Sequence, residues 1–426
     1  MNVETIFQIG DRPHWGGESA FGFSLSQLQH HCYVIGKTGS GKTTLLRNLI
    51  LQLAEAGHGV GLIDPHGDLA EELIEQLSPK RAEHTTYFCP ADAEFPIGLN
   101  LLAQADSVDR HLVASGVVGA FKNLWSESWG PRMEYILHNA VASLAACPNT
   151  SLLGVNRLLT DAGYRRWIVD QLDDAFLRDF WEGEYESYDA RFRREAIAPI
   201  QNKIGQLLLS PLLRNIVGQV ANKARIPFLM DQGRLFIANL SKGRLGHDKA
   251  NLIGSLLVTQ FQLAAMARSR QPESDRRDFF LFVDEFQNFA TEAFTSILAE
   301  ARKYRLNLVL SHQYIAQLTP AVREAVFGNV GTVIAFGVGF NDAEHLHREF
   351  GKEFTSQQFV DLPRYETLIR VHGGGSGAHY QRAVTMPALA PNRGRRDRLI
   401  RRSRERFATP RLTVEARLNR WLARRF

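Results

Sequence analysis

The chain has little that would tie it to a membrane, an oxidising compartment or a structural metal. Only three cysteines occur in 426 residues. Cys32, Cys89 and Cys147 lie far apart, which leaves neither a disulfide framework nor a zinc-finger spacing and suits a reducing compartment. The opening "MNVETIFQIGDRPHWGG" has no basic segment followed by an apolar run, so the signal-peptide pattern is missing. The longest apolar stretch, "LIGSLLVTQFQLAAMA" (252–267), is interrupted by Ser255, Thr259, Gln260 and Gln262. A membrane span needs about 20 nearly unbroken apolar residues, so this segment is expected to be a buried core helix. A cytoplasmic location without membrane insertion is the expectation. No internal repeat is found.

Charge is also modest, at +5, but it is unevenly placed. From Pro391 to Phe426 there are 13 arginines against Asp397, Glu405 and Glu415, a local charge of +10, which leaves −5 for residues 1–390. The tail therefore suits nucleic acid or an acidic partner, with a solvated charged helix as the alternative. Its Val414, Leu418, Trp421 and Leu422 fall on one helical face, which DNA does not require. A divided role is expected, with residues near Arg393 to Arg406 on DNA or an acidic surface and the terminal helix docked on protein.

With 44% hydrophobic and 22% charged residues, the chain has the composition of a globular protein, long enough for two or three domains. Strand-like runs ("HCYVIG", "GVGLID", "TTYFCP") alternate with helical periodicity, predicting a mainly parallel α/β sheet with helices on both faces. The strands stop between about Ser107 and Met230, where helical periodicity takes over. They resume in "RLFIANL", "FFLFVDE", "LNLVLSH" and "TVIAFGV". The expected organisation is a first core part at 1–104, an all-α insertion at 105–230, a second core part at 231–390 and an Arg-rich tail at 391–426. "TLIRVHGGGSGAHYQRAVTM" predicts a β-hairpin.

The clearest chemistry is "GKTGSGKTTLL". It fits the phosphate-loop pattern G-x-x-x-x-G-K-[ST] at Gly36, Gly41, Lys42 and Thr43, between a strand and a helix as that motif requires. Gly36, Lys37, Thr38, Gly39, Ser40, Gly41, Lys42, Thr43 and Thr44 form the expected nucleotide-binding segment. Lys42 is expected to reach the β- and γ-phosphates, and the Thr43 hydroxyl to ligate Mg²⁺. "FFLFVDEF" places two acids after a buried strand: Asp284 to hold Mg²⁺ and Glu285 to polarise the attacking water. Gln313, at the end of "LNLVLSHQ", is expected to sense the γ-phosphate or orient the water. The Asp-Glu pair and the lack of an "NKxD" guanine-reading motif favour ATP.

These motifs, with "LIDPHGD", "WGPRMEYILHNA", "NLSKGRLG", "ARKYRLNLVLSHQ" and "NVGTVIAF…NDAEHL", resemble the HerA/FtsK superfamily of ring-forming DNA-pumping ATPases. The resemblance is strongest to HerA-like proteins and TraD/TraG-type conjugative coupling proteins, and it runs from residue 33 to about 390. It implies a RecA-like P-loop ATPase core with an all-α insertion domain. It also implies a homohexamer around DNA, with ATP bound between subunits and completed by an arginine from a neighbour. Arg302, in "EARKYR", matches the position of that arginine; a helix-surface salt bridge is the alternative. Three departures stand out. Gly337 occupies a place where many HerA-like relatives carry arginine, no transmembrane pair precedes the phosphate loop, and the sequence before Gly36 is short for the N-terminal barrel of HerA. Two functional readings follow. One is an ATPase that translocates DNA, double-stranded by expectation. The other is a nucleotide-gated ring scaffold that recruits a nuclease, relaxase or other effector.

Overall fold

Runs that are buried at every position, such as CYVI, GVGLID, FFLFV and LNLVLSH, cannot divide their side chains between core and solvent. They belong in the middle of a sheet covered on both faces. The computed structural model describes residues 5–14, 17–104, 110–290, 292–373, 377–389 and 394–426. Among the described residues, eleven strands form one sheet. In chain order they are β1 (Ile6–His14), β2 (Gly17–Ser24), β3 (Cys32–Ile35), β4 (Gly59–Asp64), β5 (Thr85–Phe88) and β6 (Leu235–Asn239). These are followed by β7 (Phe279–Val283), β8 (Leu306–His312), β9 (Thr332–Ala335), β10 (Glu366–Gly373) and β11 (Gly377–Thr385).

Their order across the sheet is β2-β1-β11-β10-β9-β3-β8-β7-β4-β6-β5. From β9 through β6 the pairings are parallel, so the C-terminal ends of these strands line one edge. Open parallel sheets bind ligands along that edge. β10 and β11 form the expected hairpin and extend the sheet antiparallel. The hairpin of β1 and β2 is an addition that the sequence reading did not foresee. Its strands interleave glycine and polar residues and show no continuous apolar run.

The chain divides into two compact units. The first unit comprises Met1–Tyr87, Ile226–Asn239 and Arg268–Ile400 and carries the sheet. The second comprises Phe88–Arg225, Leu240–Ala267 and Arg401–Phe426. The helix His247–Ala267 thus packs with the helical unit instead of the second core part. Close packing explains why: a Cβ on Gly116 of the helix Arg110–Leu124 would meet Thr259 Cγ2 at 2.4 Å. The segment His247–Arg270 is the one helix among the described residues long and apolar enough to cross a membrane, and most of it is buried in the protein.

The tail is correspondingly less free than its charge suggests. In the second unit, Val414 and Leu418 of the helix Arg411–Ala423 bury against Leu153, with Leu208 and Trp421 at the margin. The Arg157 guanidinium donates to the carbonyls of Trp421 (2.8 Å) and Arg424 and stacks over the rings of Tyr164, Trp421 and Phe426. Leu422 does not join this face and is 57% exposed. It lies one residue, about 100° of helix, beyond Trp421, off the stripe set by positions 414, 418 and 421. Arg404 pairs with Asp92 at 2.7 Å and Arg411 with Glu94 at 3.0 Å; in the first unit, Arg396 pairs with Glu71 at 2.7 Å. Arg393 lies outside the described residues.

Candidate nucleotide-binding and catalytic site

The phosphate loop leaves β3 at the C-terminal edge of the sheet and is pinned on both sides. Gly36 N–H donates to His312 O at the end of β8 (3.3 Å), and Lys37 N–H donates to Gly337 O just beyond β9 (2.9 Å). A Cβ on Gly36 would lie 2.6 Å from Phe336 Cβ, so only glycine allows this approach. Gly41 has φ +123° and caps the helix Lys42–Glu55. Lys37, Thr38 and Gly39 form an exposed crest; Ser40 and Gly41 are half-buried behind it. Thr43 and Thr44 sit in the first helical turn, whose amides have no intrahelical acceptor and favour anions.

Lys42 is buried and folds back on the loop, with Nζ donating to Gly36 O (2.5 Å) and Lys37 O (3.1 Å). Burial lowers its pKa, and the nearby Glu285 and Asp284 oppose the drop. The cation is therefore held where both acids stabilise it. Asp284 follows β7, its N–H bonded to Ile63 O of β4. Pairing of Ile63 with Val283 sets Asp64 beside Asp284 at the ends of adjacent strands. Asp64 is fully buried, its carboxylate accepting from His66 N–H (2.8 Å) and Ala70 N–H (2.9 Å). Burial first, and then the negative charge of Asp64, push Asp284 up to about 6, partly opposed by the Ser311 hydroxyl. Paired strand-ending acids are the signal that could have singled out Asp64.

Glu285 is buried in a left-handed conformation, φ +47°. Its Oε1 accepts from Gln313 Nε2 at 2.6 Å and its Oε2 from Gln287 Nε2 at 2.8 Å. Gln313 Oε1 in turn accepts from Thr38 Oγ1 at 3.3 Å. One amide therefore joins the crest of the phosphate loop to the buried carboxylate. Beneath it, His312 is fully buried and shares a 2.9 Å hydrogen bond with the Tyr33 hydroxyl. Burial, then the charge of Lys42, push its pKa down to about 3, so the ring is a neutral support.

Arg302 is not part of this cluster. It is exposed in the turn Ala301–Tyr304 before β8, whereas Gln313 follows the other end of that strand. Seven strand residues separate the two ends by about 20 Å. Arg302 makes no ion pair or hydrogen bond through its side chain among the described residues. Gly337 has its carbonyl committed to the phosphate loop, and a Cβ there would stand 3.1 Å from Leu362 O. A larger side chain at 337 requires that backbone to give.

A divalent cation fits the donor set in part. Asp284 and the Thr43 hydroxyl offer hard oxygen ligands, and Asp284 is a carboxylate whose ionisation is suppressed by burial beside another acid. Among the described residues, no group of three or more His, Cys, Asp or Glu is placed to hold a metal ion. Mg²⁺ commonly takes one or two protein ligands and completes its shell with water and phosphate oxygens.

Comparisons with known proteins fall on this same region. Residues 16–115 match the family described as the central domain of the helicase HerA, and residues 278–374 match the TraM recognition site of TraD and TraG. No curated protein matches the chain. Among solved structures, the plasmid coupling protein TrwB in complex with the GTP analogue GDPNP superposes with a TM-score of 0.63 at 17% identity, covering 92% of this chain and 98% of that one. TrwB in complex with an ATP analogue gives 0.63 at 16% identity over the same shares. VirB4 of Thermoanaerobacter pseudethanolicus gives 0.55 at 15% identity, covering 91% and 98%. At these identities the likeness establishes the fold: a RecA-like P-loop ATPase core, largely parallel, with substantial helical structure.

Proposed function

We propose that this chain, a P-loop ATPase of the HerA/FtsK type, hydrolyses ATP in a homohexameric ring and uses the energy to translocate DNA. The observation that carries the reading is the linkage Thr38–Gln313–Glu285, which ties the phosphate-binding crest to a buried carboxylate. The TrwB structures with ATP and GTP analogues, and with ADP and Mg²⁺, support a nucleotide and Mg²⁺ in the equivalent place here.

In this reading Lys42 leaves its loop carbonyls for the β- and γ-phosphates. Thr43 and Asp284 would hold Mg²⁺, which would neutralise charge on the phosphate oxygens. Glu285 accepts a proton from the attacking water as its oxygen bonds to the γ-phosphorus. The bond to the bridging oxygen breaks, and ADP leaves with that electron pair. Gln313 reports the γ-phosphate to Glu285 by exchanging one hydrogen-bond partner for another. Arg302 is too far to serve its own site and acts on a neighbouring subunit's nucleotide. Its freedom from ion pairs among the described residues supports that role over a surface salt bridge.

DNA is the proposed cargo, double-stranded by preference, and a relaxase, nuclease or other effector the proposed protein partner. A cytoplasmic setting is part of the same proposal. A nucleotide-gated scaffold without motor activity is the competing reading. Steady-state ATP turnover with and without duplex DNA separates them: strong stimulation supports the motor, and unchanged turnover supports the scaffold.

A further inference from the structure

The phosphate loop has two flanks, and only one is occupied by the chemistry above. Glu285 and Gln313, which must face the γ-phosphate, stand on the side of β7 and β8. The opposite flank is built by Phe336, after β9, and by Arg364 and Tyr365, before β10. Tyr365 is unusual there. It has φ +71°, a left-handed conformation disfavoured for a bulky aromatic residue, and strain of this kind gathers at ligand sites. It is locked from both sides: its N–H donates to Ser40 O at 2.8 Å, and its carbonyl accepts from Thr385 N–H (2.8 Å) and Oγ1 (3.0 Å). Its ring lies directly on the loop, since a Cβ on Gly41 would be 2.8 Å from Tyr365 Cδ1.

Arg364 completes the arrangement. Its guanidinium carbon stands 4.7 Å from the centroid of the Tyr365 ring. The side chain is exposed and makes no hydrogen bond or ion pair among the described residues. A planar cation held over a ring, with no partner of its own, presents a flat surface suited to another π-system.

We propose that Arg364, held over Tyr365, is the nucleobase-binding residue of the site, with the purine of a bound nucleoside triphosphate stacking on its guanidinium. The proposal rests on the reading of this loop as a nucleotide site. With the γ-phosphate directed to Glu285 and Gln313, ribose and base extend toward the other flank, where Arg364 stands. Tyr365 is a positioning residue: it fixes the arginine plane and, through Ser40, couples that plane to the loop. Stacking reads the face of a base and not its hydrogen-bonding edge, so adenine and guanine nucleotides bind with comparable affinity.

The test is calorimetric titration of the full chain with Mg-ATP, Mg-GTP and inorganic tripolyphosphate, comparing wild type with Arg364→Ala and Arg364→Lys. By the usual worth of a stacked base, Arg364→Ala weakens ATP and GTP about tenfold while tripolyphosphate changes less than about twofold. Arg364→Lys keeps the charge but loses the plane, and it fails to restore nucleotide affinity. Equal weakening of tripolyphosphate makes Arg364 a phosphate ligand and overturns the proposal, as does unchanged ATP affinity in Arg364→Ala. If the wild type binds neither ATP nor tripolyphosphate, the nucleotide-site reading itself fails and the proposal with it.

Discussion

Gln313 Nε2 and Glu285 Oε1 are 2.6 Å apart, and the other end of the same amide meets Thr38 Oγ1 of the phosphate loop at 3.3 Å. A γ-phosphate entering beside Thr38 competes for one end of Gln313 and thereby alters what the other end does to Glu285. Gln313→Ala breaks the relay without removing a phosphate ligand. Its expected effect is a fall in turnover of about 10²-fold with ATP affinity nearly intact, measured by single-turnover hydrolysis and equilibrium binding. Loss of binding as large as the loss of rate would remove Gln313 from a sensing role.

Lys42→Ala and Glu285→Gln are expected to abolish hydrolysis by different routes. Lys42 is the buried cation over the loop carbonyls, so its loss weakens nucleotide binding. Glu285→Gln leaves Asp284 and Thr43 in place and traps ATP unhydrolysed. Affinity and turnover measured on both variants distinguish the routes, and substantial hydrolysis by Glu285→Gln would exclude that carboxylate as the base.

Asp284 yields a pH-dependent prediction. Its folded pKa, about 6, exceeds the ordinary value of 3.8, so the folded protein holds that proton more tightly than the unfolded chain. The group's favourable contribution is full below 3.8 and is lost as pH rises through 6. In metal-free buffer, Asp284→Asn therefore stabilises the protein at pH 8, by on the order of 2 kcal/mol, and the gain shrinks toward pH 4. Thermal melting at both pH values tests this. A stability change of the same size at both would mean that burial of the charge is not the cause.

Much of this site was legible because each of its parts is a short run of neighbouring residues next to an apolar segment. The phosphate loop, the Asp284–Glu285 pair and Gln313 each end a fully buried strand, and a strand's apolar run marks where its polar end emerges. Asp64, Tyr365 and Arg364 were not legible in that way. Asp64 matters only because β4 lies beside β7, and sheet order is not written in either strand. Tyr365 matters through a backbone conformation and a long-range contact with Ser40. The N-terminal hairpin escaped notice because its strands lack a continuous apolar run. Placement of His247–Ala267 in the helical unit depends on packing at Gly116 and Thr259, which periodicity alone cannot assign.

Arg302 stands at the opposite end of β8 from Gln313, so any catalytic role is exerted on another subunit. Mixing Arg302→Ala chains with Lys42→Ala chains, each expected to be inactive alone, should create some interfaces with an intact loop facing an intact arginine. Turnover is expected to recover in verified mixed assemblies, since a finger supplied in trans contributes ~10³–10⁵ in rate. No recovery in such assemblies would contradict trans action.

Displacement of a third strand from triplex DNA tests the motor most directly, because it reads movement along the duplex and not ATP consumption. Wild-type protein with Mg-ATP is expected to displace the strand, and neither Glu285→Gln with ATP nor wild type with ADP is expected to do so. Failure of the wild type to displace the strand while it binds the duplex and hydrolyses ATP would contradict translocation.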